Sequence, residues 1–226
     1  MKKRKKKQKL ILTKNWKKAG VFLIILLCIL CVIKLVGRIT GKELSVFSDR
    51  VTLSDSELDA QQPELDVQLL TVNPYSRCGT ELSQVNAIVI HYTANPGATA
   101  EQNRDYFENL KDTHSTMASS HFIVGLDGEI VQCIPTWEIA YASNDRNGDT
   151  IAIECCHPDE SGEFTKETYR SMVNLTAWLC KKFGLTSENV IRHYDITGKN
   201  CPKYFVEDEE AWTEFKEYVQ KAIDAD

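Results

Sequence analysis

Short apolar runs, separated by turn-forming residues, predict a series of β-strands from Leu65 onward. Leu65, Val67 and Leu69 alternate with polar residues, as in a strand with one buried face. Two later runs are apolar on both faces, which is typical of central strands. Asp127-Gly128 lies between two further apolar runs and is a strong hairpin signal. The predicted strands lie at residues 65–69, 88–90, 121–124, 129–134 and 151–155.

Three other segments place apolar residues at helical spacing. Residues 99–110 are predicted to form a helix capped by Thr99. Residues 165–183 carry an apolar stripe and are followed by Gly184, a residue common just after helix C-termini. A last helix is predicted from about Asp208. Strands interspersed with helices predict a mixed α/β fold, in which helices flank a central mixed β-sheet.

The first 36 residues differ in composition from the rest of the chain. Residues 2–18 carry ten Lys or Arg, and residues 19–36 are almost wholly apolar apart from Lys34. About 18 apolar residues are near the lower limit for spanning a bilayer, and a long cationic flank stays on the cytoplasmic side. We therefore predict a basic cytoplasmic tail (1–18) and a transmembrane signal-anchor helix (19–36). A cleaved signal peptide is the alternative, although the segment lacks a small-residue cleavage pattern.

The remainder of the chain is strongly acidic. Thirteen of the 27 basic residues and none of the 32 acidic residues precede Glu43, so the remaining 14 basic and 32 acidic residues give a net charge of −18. This charge argues against nucleic acid as a partner. Residues 37–64 are predicted to form an acidic extracytoplasmic stalk, because no helical or strand period persists there. Residues 65–226 are long enough for one globular domain.

A His and a Cys in the C-terminal part of the chain predict half of a metal site. His193 and Cys201 are eight positions apart, and Lys199 lies two residues before the Cys. His91 follows the apolar run at 88–90 and precedes a turn-rich segment, so its imidazole is expected at the end of a buried strand. Two His and one Cys leave the fourth position of a tetrahedral zinc ion open, as a catalytic zinc requires.

Glu154 is a carboxylate within the apolar strand predicted at 151–155. Burial of a carboxylate is costly unless the group has a partner or a chemical role. In a purely structural role, Glu154 would form an ion pair with an Arg at the end of the strand. Proton transfer beside a metal is the functional interpretation, and we favour it.

Four motifs follow one another in a fixed order along residues 66–220. They are His91 in Ile-His-Tyr-Thr, the Ser119–Val124 run with its Asp-Gly turn, Ile153-Glu154, and His193-Tyr194-Asp195 followed by Gly-Lys-Asn-Cys-Pro. Their order and spacing resemble those of the zinc-dependent N-acetylmuramoyl-L-alanine amidases of the amidase type 2 and peptidoglycan recognition protein family. Ser120 stands where the phage-type members have a Tyr, and Glu154 matches the branch that uses a glutamate.

The resemblance implies a role for each residue of the motifs. His91, His193 and Cys201 would bind zinc. Lys199 would stabilise the transition state, and Glu154 would transfer the proton. The implied function is that of a peptidoglycan hydrolase. The predicted anchor would hold it at the bacterial cell membrane with its amidase catalytic domain outside. The hydrolase would cleave the amide bond between the lactyl group of N-acetylmuramic acid and L-alanine.

The same residue types suit amide hydrolysis independently of the resemblance. Zinc lowers the pKa of bound water to about 7, and a donor such as Lys199 contributes about 3–4 kcal/mol to oxyanion stabilisation. Three alternatives remain. They are a non-catalytic peptidoglycan-binding receptor on the same fold, a metal-free cysteine hydrolase using Cys201 and His193, and a structural zinc module closed by a fourth protein ligand.

Three positions near these motifs carry secondary predictions. His121 either touches substrate or is a strand histidine with hydrogen-bonded ring nitrogens. Asp195 either orients a metal ligand or is a turn carboxylate. Cys155 and Cys156 are not expected to bond to each other, because adjacent residues of a strand point to opposite faces.

Overall fold

The computed structural model describes residues 50–225. The predicted basic tail, the predicted transmembrane helix at 19–36 and the first part of the predicted stalk lie outside these residues. They therefore stay predictions. No helix within 50–225 combines the length and the apolar character that a membrane span requires.

A mixed sheet forms the centre of the domain, as the sequence predicts, but it has six strands where five were predicted. The strands occur in the spatial order β1-β4-β3-β5-β2-β6, and every neighbouring pair is parallel except the antiparallel pair β3 and β4. The strands are β1 (Asp66–Val67), β2 (Ala87–Tyr92), β3 (Phe122–Val124), β4 (Ile130–Gln132), β5 (Thr150–Cys155) and β6 (Val190–Arg192).

The three predicted helices are present, and two short helices join them. Thr99 caps the first helix by accepting a hydrogen bond from the backbone of Gln102, and Gly184 ends the second in the left-handed region at φ 67°. Asp208 caps the last helix. The helices are α1 (Ala100–Thr113), α2 (Lys166–Phe183), α3 (His193–Thr197), α4 (Lys203–Glu207) and α5 (Glu209–Asp224).

The two faces of the sheet pack against different helices. One face joins α2 and α5 in the larger apolar core, and each fully buried Leu, Ile or Phe there contributes about 1.5–3 kcal/mol. Representative members are Ile88, Ile90, Ile151, Ile153, Cys155, Leu175 and Phe215. The opposite face packs against α1 in a smaller core that includes Phe107, Leu110, Ile123, Val131 and Cys156.

This division of the core has two consequences. Cys155 and Cys156 belong to different cores, and both thiols are free, which confirms that they do not bond to each other. Because α1 lies on β3 and β4, the same face of β2 and β6 remains available for a functional site. Strand alternation places the side chain of His91 on that face, since Ile90 points into the larger core.

The structure differs from the sequence prediction between residues 51 and 64, which were assigned to the stalk. The compact domain begins at Val51, and Leu53, Leu58 and Ala60 are buried in the larger core. We call residues 51–60 the N-terminal arm. The Tyr218 hydroxyl accepts a hydrogen bond from the Leu53 backbone at 3.1 Å. Acidic neighbours hid these three apolar residues in the sequence pattern, so the predicted domain boundary at Leu65 came too late.

Candidate functional site

Parallel strand pairing brings the predicted site residues to one end of the sheet. β2 lies between β5 and β6, and His91 pairs in register with Glu154 on β5. On the other side, Ile90 pairs with Arg192, the last residue of β6, so His193 begins α3 immediately beyond the sheet. The backbone N–H of Tyr194 donates to the carbonyl of Cys201 at 2.9 Å, which folds the 198–202 turn back onto α3.

The side chains of His91, His193 and Cys201 form a buried cluster that could hold a metal ion. One ligand atom from each lies within 4.8 Å of the other two. His91 Nδ1 lies 3.8 Å from Cys201 Sγ. A tetrahedral zinc ion with usual bond lengths separates a nitrogen and a sulfur ligand by about 3.6 Å. This pair of ligand atoms therefore has nearly the separation that such an ion requires.

Two ring nitrogens of this cluster are buried without a hydrogen-bond partner, namely His91 Nε2 and His193 Nδ1. Burial lowers the pKa of both imidazoles, and the positive charge of Lys199 lowers them further. Both rings are therefore neutral, as metal ligands must be. Buried polar atoms without partners are uncommon in proteins. A bound cation would satisfy Nδ1 of His193, whereas His91 meets Cys201 through its other ring nitrogen, Nδ1.

The thiol of Cys201 does not have the environment of a free cysteine nucleophile. Burial raises its pKa to about 12, and the charge of Glu154 acts in the same direction. The backbone N–H of Tyr92 and the ammonium of Lys199 oppose this effect but do not overcome it. A cysteine nucleophile without a metal depends on protein groups that lower the thiol pKa, and the surroundings of Cys201 raise it instead. A bound cation would itself ionise a coordinating thiol, so the site is compatible with metal binding and does not support a metal-free cysteine hydrolase.

Glu154 is half-buried beside the cluster, and its Oε2 atom has no hydrogen-bond partner. Burial raises its pKa to about 8, and the nearby charge of Lys199 acts against that increase. None of the ion pairs formed within residues 50–225 includes this carboxylate. A carboxyl group with a pKa near the working pH is suited to proton transfer. The ion-pair interpretation does not account for this raised pKa.

Lys199 is exposed on the turn between α3 and α4. Its positive charge lowers the pKa of each group of the site, namely His91, His193, Cys201 and Glu154. An exposed cation that acts on a metal site can meet negative charge that develops on a substrate.

The contacts of His121 and Asp195 favour the structural alternative in each case. Nδ1 of the buried His121 accepts from the Ala152 backbone N–H at 3.0 Å, and Nε2 donates to the Glu138 carbonyl at 2.9 Å. Asp195 accepts from the backbone and guanidinium of Arg192, which caps α3. Both nitrogens of His121 are thus occupied by backbone groups, and the bonds of Asp195 go to Arg192.

Sequence reasoning missed Asn144, which contacts a predicted ligand directly. Its Oδ1 atom lies 2.9 Å from Nε2 of His193. Asn144 adopts a left-handed backbone conformation with φ 52°, in a turn between β4 and β5. The sequence offers only the turn composition Ser-Asn-Asp-Arg-Asn-Gly as a signal, and that composition does not indicate which residue meets the metal site.

Comparisons with known proteins agree with this geometry. The chain is 36% identical over 165 residues to the N-acetylmuramoyl-L-alanine amidase CwlL of Bacillus licheniformis, covering 67% of this chain and 45% of that protein. It is 35% identical over 172 residues to the amidase BlyA of Bacillus subtilis (strain 168), with the same two coverages. The chain therefore spans less than half the length of these curated relatives.

Solved structures give the same picture for the fold. The catalytic domain of XlyA matches with a TM-score of 0.59 and 26% identity, covering 70% of this chain and 99% of that chain. The catalytic domain of PlyG also gives a TM-score of 0.59, at 25% identity. The Amidase_2 family, described as N-acetylmuramoyl-L-alanine amidase, matches residues 81–204, and the cluster, Glu154 and Lys199 all lie within that range. The resemblance seen in the sequence is thus confirmed, and the chain belongs to the Amidase_2 family.

Proposed function

We propose that this protein is a zinc-dependent N-acetylmuramoyl-L-alanine amidase. Its substrate would be peptidoglycan, and the bond cleaved would be the amide between the lactyl group of N-acetylmuramic acid and L-alanine. One observation carries the proposal, namely the buried donor set of His91, His193 and Cys201 beside the Glu154 carboxyl, whose Oε2 atom has no partner. Membership of the Amidase_2 family supports the choice of substrate.

Each residue of the site has a part in this reaction. His91, His193 and Cys201 would hold zinc, which supplies the Lewis acid that makes water a competent nucleophile near neutral pH. Glu154 would accept a proton from the attacking water and return it to the leaving amine. The ammonium of Lys199 would stabilise the negative charge that develops on the carbonyl oxygen of the scissile amide.

Two alternatives are less consistent with the site. A binding-only receptor has no need for a complete ligand set with a half-buried, unpartnered glutamate beside it, because that glutamate costs stability without aiding binding. A structural zinc module would close the site with a fourth protein ligand. Within residues 50–225, the group of candidate ligands contains three residues.

The decisive experiment is digestion of purified peptidoglycan, and of a soluble muramyl peptide, followed by mass analysis of the products. We expect peptides with a free L-alanine amino terminus, together with intact glycan strands. His193→Ala should lose both metal and activity, whereas Glu129→Gln, a change in the β3–β4 hairpin, should retain both. Cleavage between other residues, or binding without cleavage, would contradict the proposal.

We further propose that residues 19–36 anchor the protein in the bacterial cell membrane with the catalytic domain outside. The cationic flank of ten Lys or Arg supports this orientation. Protease added to intact protoplasts should remove the acidic domain, while the basic tail should be protected. Recovery of a soluble protein that begins after Val36 would instead establish a cleaved signal peptide.

A further inference from the structure

We infer that Asn144 is a positioning residue for the metal site, which holds the ring of His193 so that Nδ1 faces the metal. The inference rests on the proposed zinc site but concerns a residue outside its ligand set. Asn144 would act through His193 and would not touch zinc or the substrate's reacting atoms.

The hydrogen bond between the two side chains assigns a different role to each ring nitrogen. Nε2 of His193 lies 2.9 Å from Oδ1 of Asn144. An amide oxygen only accepts hydrogen bonds, so Nε2 carries the proton and Nδ1 carries the lone pair. Nδ1 is the ring nitrogen that is buried without a partner. The bond therefore leaves the lone pair of His193 pointing into the cluster.

Hydrogen bonds within the turn around Asn144 fix its backbone, and this keeps the side-chain amide of Asn144 in place. Oδ1 of Asn147 accepts from the backbone N–H groups of Ala142 at 3.0 Å and Ser143 at 2.6 Å. The Thr150 hydroxyl donates to the carbonyl of Arg146 at 2.7 Å and ties the turn to the first residue of β5. The turn thus keeps a fixed relation to the sheet that carries His91.

The backbone conformation of Asn144 makes this role testable without loss of the fold. At φ 52° the residue lies in the left-handed region, which Asn and Gly adopt more readily than other residues. Asn144→Gly removes the hydrogen-bond acceptor and keeps the turn unstrained. Asn144→Asp keeps an acceptor oxygen at the same position. The residue is exposed, so neither change leaves a hole in the core.

The first measurement is the zinc affinity of the full-length protein, purified in detergent and titrated against a chromophoric chelator. Loss of a partner that orients a histidine ligand lowers metal affinity about 10–100-fold. We expect a loss of about 10-fold for Asn144→Gly, at the low end because water can reach the exposed site. Asn144→Asp should stay within about threefold of wild type, as should the control Asp145→Asn, which alters the neighbouring exposed residue.

The second measurement is the tautomer of His193 in the metal-free protein, read from long-range proton–nitrogen NMR correlations. Wild type should show protonated Nε2, and Asn144→Gly should show exchange between tautomers. A purely structural role would leave this spectrum unchanged. Equal zinc affinity in wild type and Asn144→Gly, or protonated Nδ1 in wild type, would overturn the inference and leave the proposed function intact. Absence of zinc binding by wild type would overturn both.

Discussion

The imidazole of His121 couples the stability of the domain to pH. The ordinary pKa of a histidine is 6.5, and burial lowers the pKa of folded His121 to about 4. Between about pH 4 and pH 6.5, His121 binds a proton in the unfolded chain but not in the folded chain. Stability is therefore lost as the pH falls through this window. Above 6.5 both states are neutral and the full stability is present.

The size of this effect follows from the difference between the two pKa values. Each pH unit inside the window costs about 1.4 kcal/mol. Between about pH 7.5 and about pH 4.5, His121 alone should therefore lower the free energy of unfolding by about 2.5 kcal/mol. The alternative, a substrate-touching histidine that is open to water, would keep an ordinary pKa and would make no such contribution.

The assay compares urea unfolding of wild type and His121→Gln at the two pH values, using a chain that begins at Arg50 and a chelator that keeps the metal ligands empty. The glutamine cannot titrate, so the variant should lose about 2.5 kcal/mol less than wild type on acidification. His114→Gln, which changes an exposed histidine stacked on Tyr75, is the matched control and should follow wild type. Equal acid sensitivity of wild type and His121→Gln would refute the buried, neutral assignment.

Three further predictions concern the site and the domain boundary. Glu154→Gln and Lys199→Ala should each lower kcat about 100-fold or more on a soluble muramyl peptide while zinc content stays near one equivalent; near-normal turnover by the glutamine variant would remove Glu154 from the mechanism. Cys201→Ser should lose most of its zinc by metal analysis, because a hydroxyl does not replace a thiolate ligand, and full occupancy would contradict the assignment. A chain that begins at Leu65 should melt at lower temperature than one that begins at Val51, since it lacks the buried leucines of the N-terminal arm; equal melting temperatures would show that the arm adds no stability.

The sequence predicted the secondary structure best where the pattern is local. The helices at 99–110 and 165–183 were found because both the apolar spacing and the caps at Thr99 and Gly184 lie within the segments themselves. The short helices α3 and α4 were not predicted, since five residues are too few to display a helical period. The N-terminal arm was read as stalk because its apolar residues are few and have no regular spacing.

The site residues were likewise predictable as far as local sequence determines them. Amino-acid chemistry alone singled out His91, His193, Cys201, Glu154 and Lys199, because few residue types can bind a transition metal or transfer a proton. Whether those groups meet was decided by β2 lying between β5 and β6, an order that local pattern does not contain. The packing of helices on both faces stabilises that order.

The sequence by itself thus determined five of the six strands, the longer helices and the chemical types available for a metal site, since each depends on residues close together in the chain. Tertiary structure alone decided the partners of those residues. It gave His121 two backbone hydrogen-bond partners and paired the Asp195 carboxylate with the Arg192 guanidinium. It also brought Asn144 into contact with His193 across 49 positions of sequence. Such contacts form only when the whole domain packs, because the free energy that holds them comes from burial elsewhere in the core.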